Sequence, residues 1–292
     1  MGNSRFDYGS YTAHTKSYAG KSVDEYTSDS LNPNLNPVNI KLRESRDSDA
    51  NPESNAIILG MDFTGSMSFV ADYMAKEGIA RMCKGIYDKK PISDPHIMVM
   101  GIGDIEWDSA PLQVSQFEAD IKIAKDLELM WIHHGGGGNS VESYTLPWLF
   151  AASRTSIDCF EKRQRKGYLF TCGDEMINPV LRKSHLARVM GKVEKDFFKD
   201  WTAEELYALV SEKYHVFHVI AEEGTDGKNK STHDSWVKVV GQNLIHMPDH
   251  KKFSEIIITS IMIKEGMDKE EALKAWDKET AAQIKTAVNF RK

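Results

Sequence analysis

Apolar residues occur along the chain in short runs that alternate with longer segments of helical spacing. The run at 56–63 (AIILGMDF) has the length of a buried strand, and residues 67–87 place apolar side chains about one helical turn apart. The same alternation continues through most of the sequence. It predicts one sheet with strands at 56–62, 97–102, 128–132, 168–172 and 215–221, a returning strand at 111–115 and a short strand at 243–246.

The segments between these runs carry helix signals. Thr202 and Glu205 have the spacing of a capping box, which opens a helix to about residue 214. Apolar periodicity and stop signals predict further helices at 117–126, from near 145 to 163, before Gly191, and at 231–240, 253–264 and 268–288. Strands interleaved with helices in this way predict an α/β fold, a doubly wound, mostly parallel and Rossmann-like sheet with helices on both faces.

The composition of the first 53 residues differs from that of the rest. From Gly2 to Ser30 the only large aliphatic residue is Val23, so this segment cannot bury a core of its own. We therefore expect an extended or flexible N-terminal arm over 1–53, a single domain over 54–265 and a C-terminal helix over 266–292. Tyrosines of the arm can anchor it against the domain or a partner.

Charge and hydropathy exclude several function classes. The chain of 292 residues has 37 basic and 43 acidic side chains, a net charge of −6, and therefore lacks the positive field of a non-specific nucleic-acid binder. Its longest apolar runs are shorter than the roughly 20 residues that span a bilayer. The N-terminus has no secretory signal pattern, and the three cysteines form no CxxC pair. We expect a cytoplasmic protein with free thiols.

The polar loop after the first strand carries the clearest candidate chemistry. Asp62, Thr64 and Ser66 stand at alternate positions, and alternate residues of an extended segment face the same way. A carboxylate and two hydroxyls can thus converge on one point. Oxygen-only ligands favour Mg²⁺, Mn²⁺ or Ca²⁺ over zinc.

The segment IILGMDFTGSM resembles the first loop of the metal-ion-dependent adhesion site (MIDAS) of von Willebrand factor A (vWA) domains, which reads Asp-x-Ser/Thr-x-Ser after the first strand. The similarity covers roughly residues 54–265 and is concentrated in 56–176. It implies the doubly wound vWA fold, a bound Mg²⁺ or Mn²⁺, and a partner whose Asp or Glu completes the coordination. It further implies a bacterial or phage cytoplasmic type of vWA protein.

The resemblance also implies ligands from two later loops. The second loop of the family is glycine-rich with a Thr ligand, whereas here Gly135–Gly138 precede Asn139 and Ser140, so Asn139 or else Ser140 is expected to serve. Glu142 follows two residues later. The third loop of the family reads Thr-Asp-Gly, and here Cys172 takes the Asp position, which moves that role to Asp174 or Glu175. The expected metal ligands are thus Asp62, Thr64, Ser66, Asn139 and Asp174.

Three functions are compatible with this pattern. The first is a metal-dependent adaptor that captures an acidic residue of another protein, and similar bacterial and phage proteins work beside AAA+ ATPases, so the resemblance implies such a partner. The second is a Mg²⁺-dependent hydrolase of haloacid-dehalogenase type, but Thr64 stands where its second Asp is usual. The third is a structural component of a phage or cellular assembly. We expect the first, and therefore no enzyme.

Overall fold

The computed structural model describes residues 4–132, 141–192 and 194–290. The strands of this part of the chain are β1 (Arg43–Ser45), β2 (Asn55–Asp62), β3 (Pro95–Ile102), β4 (Leu112–Val114), β5 (Val141–Glu142), β6 (Thr155–Ile157), β7 (Gly167–Gly173), β8 (Met176–Ile177), β9 (Val180–Leu181), β10 (Trp201–Thr202), β11 (Tyr214–Ala221) and β12 (Leu244–Met247).

Helices fill most of the connections between the strands. A π-helical turn at Met74–Gly78 joins two of them, α2 and α3, and single 3₁₀ turns occur elsewhere, including Gly65–Met67 and His250–Lys252. The helices are α1 (Tyr8–Thr15), α2 (Ser68–Tyr73), α3 (Ile79–Lys89), α4 (Lys122–Glu128), α5 (Thr145–Arg154), α6 (Asp158–Glu161), α7 (Lys183–Met190), α8 (Ala203–Ser211), α9 (Lys230–Val240), α10 (Phe253–Lys264), α11 (Lys269–Leu273) and α12 (Lys278–Ala287).

The central sheet of the described residues has six strands in the order β12-β11-β7-β2-β3-β4. All neighbours are parallel except β3 and the short edge strand β4, which pair antiparallel. Strand order reverses between β2 and β7, because β2 is the first of these strands in the chain and has β3 on its other side. This is the 3-2-1-4-5-6 order of a doubly wound sheet. The predicted fold class, a doubly wound and mostly parallel α/β sheet, is confirmed.

Helices cover both faces of the sheet, and β2 shows how one strand serves two cores. Ile57 and Leu59 point into a core with α3 and α10, whereas Ala56 and Ile58 point into a core with α5, α7, α8 and α9. A strand that is buried on both faces reads as a continuous apolar run, which is why it stands out in the sequence.

The strand expected at 128–132 is not formed. Helix α4 continues to Glu128, and within the described part of the chain the ladder contact of this stretch is an isolated bridge between Trp131 and Ser28. Ile123, Leu127 and Met130 are buried in the core at helical spacing, and Ile132 is buried just beyond them, so most apolar residues here follow a helical period. The edge position belongs to β4, as the expected returning strand at 111–115 indicated.

The N-terminal segment packs on the domain through its tyrosines. Tyr11 and Tyr18 are buried, and the Tyr18 ring stacks on that of Tyr26 with 4.2 Å between centroids. The Tyr26 hydroxyl donates a hydrogen bond of 2.8 Å to Asp72 of α2. The segment therefore covers the start of the long helical stretch α2–α3.

The C-terminal residues form two short helices where one was expected. Asp268 and Asp277 cap α11 and α12 with their side chains, which separates the two. Leu273 and Ile284 are buried against the core that contains α10. None of the helices in the described part of the chain combines the length and apolar character that a membrane span requires.

Candidate metal centre

Asp62 ends β2 at the point where the strand order reverses, and its side chain is fully buried. The chain turns at once into the 3₁₀ turn Gly65–Met67. Thr64 donates two hydrogen bonds to Asp62 Oδ1, from its backbone amide (2.8 Å) and from its hydroxyl (2.6 Å). The loop thus holds the carboxylate and the Thr64 hydroxyl side by side.

Tyr144 occupies the other oxygen of this carboxylate. Its hydroxyl donates a hydrogen bond of 2.7 Å to Asp62 Oδ2 and accepts one of 3.3 Å from the backbone amide of Glu175. A Cβ atom at Gly173 would lie 2.0 Å from the Tyr144 hydroxyl, so only glycine leaves room for this contact. The tyrosine therefore connects the loop after β2 with the loop after β7.

Asp174 follows β7 and faces the same crevice. Ser66 Oγ donates a hydrogen bond of 3.1 Å to Asp174 Oδ1, which brings the third residue of the first loop onto the third-loop carboxylate. A Cβ atom at Gly224, in the loop after β11, would lie 2.4 Å from Asp174. Loops after three neighbouring strands thus meet at one end of the sheet, where doubly wound folds bind ligands.

Several carboxylate oxygens in this crevice are buried and have no hydrogen-bond partner among the described residues. They are both oxygens of Glu142, whose side chain is 1% exposed, together with Asp174 Oδ2 and Glu175 Oε2. Buried charged groups are stable only when paired, protonated or bound to a metal. These orphaned oxygens are the feature of the site that most directly indicates a cation.

The electrostatics of the crevice agree with this interpretation. Burial, followed by the negative charges of Asp62 and Glu175, raises the pKa of Glu142 to about 11. Burial and the charges of Asp62 and Asp174 raise the pKa of Glu175 to about 8. Burial outweighs the hydrogen bonds from Thr64 and Tyr144 and raises the pKa of Asp62 to about 6. Each carboxyl group resists ionisation because burial removes it from water and neighbouring carboxylates repel its charge, and a bound divalent cation would oppose both effects.

The structure brings together Asp62, Thr64, Ser66 and Asp174 of the expected ligand set. Asn139 and its alternative Ser140 lie outside the described residues. The two third-loop candidates differ in their surroundings, since Asp174 touches Ser66 while Glu175 contacts Tyr144 through its backbone.

Cys172, the residue at the family's Asp position, is fully buried among apolar side chains of the core. Burial raises the pKa of its thiol well above the usual value, so the cysteine stays a neutral core residue.

Sequence reasoning missed Glu142 and Tyr144 as site residues. Glu142 belongs to β5, which pairs with β8 directly after the third loop, and this pairing carries it to Glu175. The available signal was the position of Glu142 just after the glycine run, in a segment that leads into a buried helix. Tyr144 gave no such signal, because a tyrosine at the start of an apolar helix reads as a core aromatic residue.

The donor set fits a hard divalent cation. Carboxylate and hydroxyl oxygens converge, as Mg²⁺, Mn²⁺ and Ca²⁺ prefer. Within the described residues no three acidic, His or Cys side chains around Asp62 bring ligand atoms within 4.8 Å of one another, so a cation there would rely on the hydroxyls of Thr64 and Ser66 as well. Because Glu142 and Glu175 add to Asp62 and Asp174, the crevice is more acidic than the first loop alone indicated.

No protein-family model matches the chain, and no curated protein matches it. Similar solved structures include the pilus adhesin SpaC from Lactobacillus rhamnosus GG in its open conformation, at 9% identity over 76% of this chain and 31% of the adhesin, with a TM-score of 0.47. They also include a von Willebrand factor type A protein from Catenulispora acidiphila (10% identity, 74% of this chain and 44% of that one, TM-score 0.39). A third is proximal thread matrix protein 1 from the mussel byssus (10%, 72% and 47%, TM-score 0.41). This chain spans less than half the length of each, and these weak similarities carry no argument about function. The fold assignment rests on the sheet order.

Proposed function

We propose that the protein is a metal-dependent protein-binding module, which holds Mg²⁺ or Mn²⁺ in the crevice at Asp62 and captures an Asp or Glu of a partner protein. The observation that supports this most strongly is the set of buried carboxylate oxygens at the reversal of strand order that have no partner among residues 4–132, 141–192 and 194–290. A bound divalent cation would compensate these charges and present a positive centre to an external carboxylate.

Residues of three loops would hold the cation. Asp62, Thr64 and Ser66 would contribute from the first loop and Asp174 from the third, as the vWA resemblance implies. Glu142 joins them in this proposal, because its side chain is 1% exposed, its oxygens have no hydrogen-bond partner among the described residues, and a bound cation would favour its ionised form. Asn139 stays a proposed second-loop ligand. Tyr144 is a positioning residue that fixes the orientation of the Asp62 carboxylate.

An exposed aromatic residue near the crevice gives the partner an apolar contact. Trp107 lies in the loop after β3 and is 67% exposed. This loop is tied to the metal centre, because the Ile105 amide donates a hydrogen bond of 2.8 Å to the hydroxyl of Ser143, between Glu142 and Tyr144. Tryptophan is enriched among the residues that dominate protein interfaces. We propose a partner that offers a carboxylate to the cation and apolar surface to Trp107, with an AAA+ ATPase as one such protein.

The variant Asp62→Asn tests the proposal, because asparagine keeps an acceptor for Thr64 while it removes the charge. We expect calorimetry to show Mg²⁺ or Mn²⁺ binding to the native protein and at least about tenfold weaker binding to Asp62→Asn. A pull-down from the source cell in Mg²⁺, but not in EDTA, should recover the partner with the native protein alone.

Asp200→Asn is the matched control, since Asp200 is an exposed acidic residue that pairs with Arg182 at 3.4 Å and accepts a hydrogen bond of 2.8 Å from the Lys183 amide, which asparagine can also accept. It should bind the cation as the native protein does. The proposal is wrong if millimolar Mg²⁺ and Mn²⁺ give no binding signal even with the partner present. An Asp62-dependent phosphatase activity would favour the hydrolase instead.

A further inference from the structure

A second group of potential metal ligands lies outside the crevice at Asp62. Glu223, Asp249 and His250 each place a ligand atom so that all three atoms lie within 4.8 Å of one another, and within the described part of the chain no other group of three His, Cys, Asp or Glu side chains does so. Glu223 follows β11, whereas Asp249 and His250 follow β12. The group therefore joins two adjacent loops at the carboxyl ends of neighbouring strands.

The side chains of this group are held in place by their surroundings. The imidazole of His250 meets the rings of Phe69 and Tyr73 edge-on, with centroid distances of 5.0 and 5.3 Å. The Tyr73 hydroxyl also donates a hydrogen bond of 3.0 Å to the carbonyl of Lys251. Helix α2 thus fixes the ring of His250 and the backbone beside it. The side chain would therefore lose less conformational entropy when it binds a metal ion.

The donor chemistry differs from that of the Asp62 crevice. An imidazole nitrogen together with two carboxylates suits Zn²⁺ and related first-row ions, whereas Mg²⁺ prefers oxygen ligands alone. His250 Nδ1 lies 2.9 Å from Glu223 Oε2, and ligand atoms of a tetrahedral zinc with bonds of about 2.1 Å lie roughly 3.4 Å apart. A zinc ion would take the place of this hydrogen bond, and the three ligand atoms, which all lie within 4.8 Å of one another, are near that spacing.

We propose that Glu223, Asp249 and His250 form a second metal site, specific for Zn²⁺ or a similar first-row ion, with a fourth position open to water. The ion would cross-link the loop after β11 to the loop after β12. Residue 224, which packs against Asp174, directly follows the ligand Glu223. The second site therefore supports the wall of the Asp62 crevice, although its existence does not depend on the function proposed for that crevice.

Cobalt substitution tests the site directly, because Co²⁺ in a four-coordinate site absorbs visible light much more strongly than hydrated Co²⁺. We expect the full-length native protein to give this absorption on addition of Co²⁺ and to lose it on addition of Zn²⁺. Asp249→Asn and His250→Ala should bind Zn²⁺ at least about tenfold more weakly by calorimetry. Asp249→Asn is the sharper variant, since asparagine caps the turn as well as aspartate does and should leave the metal-free melting temperature unchanged.

His14→Ala is the matched control. His14 and Glu128 form another His–Glu pair, at 2.8 Å, and no third His, Cys, Asp or Glu among the residues that the structure describes joins it. This variant should keep the cobalt spectrum, and Asp62→Asn should keep it as well. The proposal is overturned if the native protein gives no such spectrum, if His14→Ala removes it as His250→Ala does, or if Asp62→Asn rather than His250→Ala abolishes Zn²⁺ binding.

Discussion

Acidic side chains gather near both ends of β2, but the two groups are balanced in opposite ways. Beside its amino end, Asp47 pairs with Arg163 at 2.8 Å and Lys162 at 3.2 Å, and Asp158 pairs with Arg46 at 2.8 Å. Burial opposes the ionisation of Asp47, yet hydrogen bonds from these cations and from Ser54 outweigh it and hold its pKa below the usual range. We call this group the paired cluster.

At the carboxyl end of β2, the carboxylates of the crevice have hydroxyl and amide neighbours but no cationic side chain within salt-bridge distance among the described residues. Their pKa values are raised, as described above for Asp62, Glu142 and Glu175. Described cationic side chains therefore neutralise the carboxylates beside the amino end of β2, but not those at its carboxyl end. A fold that leaves buried carboxylates unpaired loses stability there, which a structural role does not explain. The cation-binding role proposed above would explain it.

The largest effect is expected from Arg163→Ala in the paired cluster. Arg163 donates to both oxygens of Asp47 and to the carbonyl of Ser54, so its removal leaves a largely buried carboxylate underpaired. We expect a loss of about 3 kcal/mol in the free energy of unfolding, measured by urea titration. Millimolar Mg²⁺ should not restore it.

Arg182→Ala is the control for this variant, because the Arg182–Asp200 pair is exposed and should contribute less than about 0.5 kcal/mol. If Arg163→Ala also cost less than that, the paired cluster would not be a stabilising element and the contrast between the two ends of β2 would be lost.

An intermediate effect of opposite sign is expected from Glu142→Gln in the crevice. The amide keeps the shape of the side chain and resembles the protonated carboxyl that the raised pKa of Glu142 favours, so folding no longer has to protonate this group. At pH 8 without metal, the free energy of unfolding should rise by about 2 kcal/mol, of the order of the cost of a buried unpaired polar group. The additional stabilisation that Mg²⁺ gives to the native protein should shrink.

Glu161, which pairs with Arg46 of the paired cluster at 2.7 Å, gives the matched comparison through Glu161→Gln. Glu161 accepts hydrogen bonds from Arg46 and Ser156, so its amide variant should destabilise the protein with or without Mg²⁺. If Glu142→Gln behaved like Glu161→Gln, Glu142 would be structurally engaged and its proposed role as a ligand would be wrong.

Much of the fold was predictable from the sequence because the sheet is buried on both faces. β2, β3, β7 and β11 read as continuous apolar runs, and their positions agree with the predictions to within two residues. The strands of two or three residues that brace the loops, such as β5 and β8, are too short to show any period. The error at 128–132 arose because its apolar residues fit a strand run as well as the end of a helix.

The candidate site was predictable only where it is local. Asp62, Thr64 and Ser66 share one loop, so their spacing alone placed them together. Glu142 reaches the crevice through the pairing of β5 with β8, and the order of the strands decides which loops meet. The spacing of residues within one loop shows directly which side chains can lie together. Contacts between loops depend on the order of the strands in the sheet, which the spacing does not show.

The smallest effect concerns pH and the buried histidine beside the paired cluster. Burial lowers the pKa of His96 to about 4, despite the nearby charges of Asp94 and Asp47, and its Nδ1 lies 3.1 Å from the Ser45 hydroxyl. In the unfolded chain the pKa of histidine is about 6.5, so the unfolded state takes up a proton first as the pH falls. Stability is therefore complete above pH 6.5 and is lost as the pH drops towards 4.

Between pH 7.5 and 5.5 this histidine should cost about 1 kcal/mol of unfolding free energy. His96→Gln, which keeps a polar partner for Ser45, should reduce the loss over this interval by that amount in paired urea titrations. An unchanged pH dependence would mean that His96 gains a compensating partner when it is protonated. The carboxylates at the amino end of β2 would then not be fully neutralised by the cations of the paired cluster.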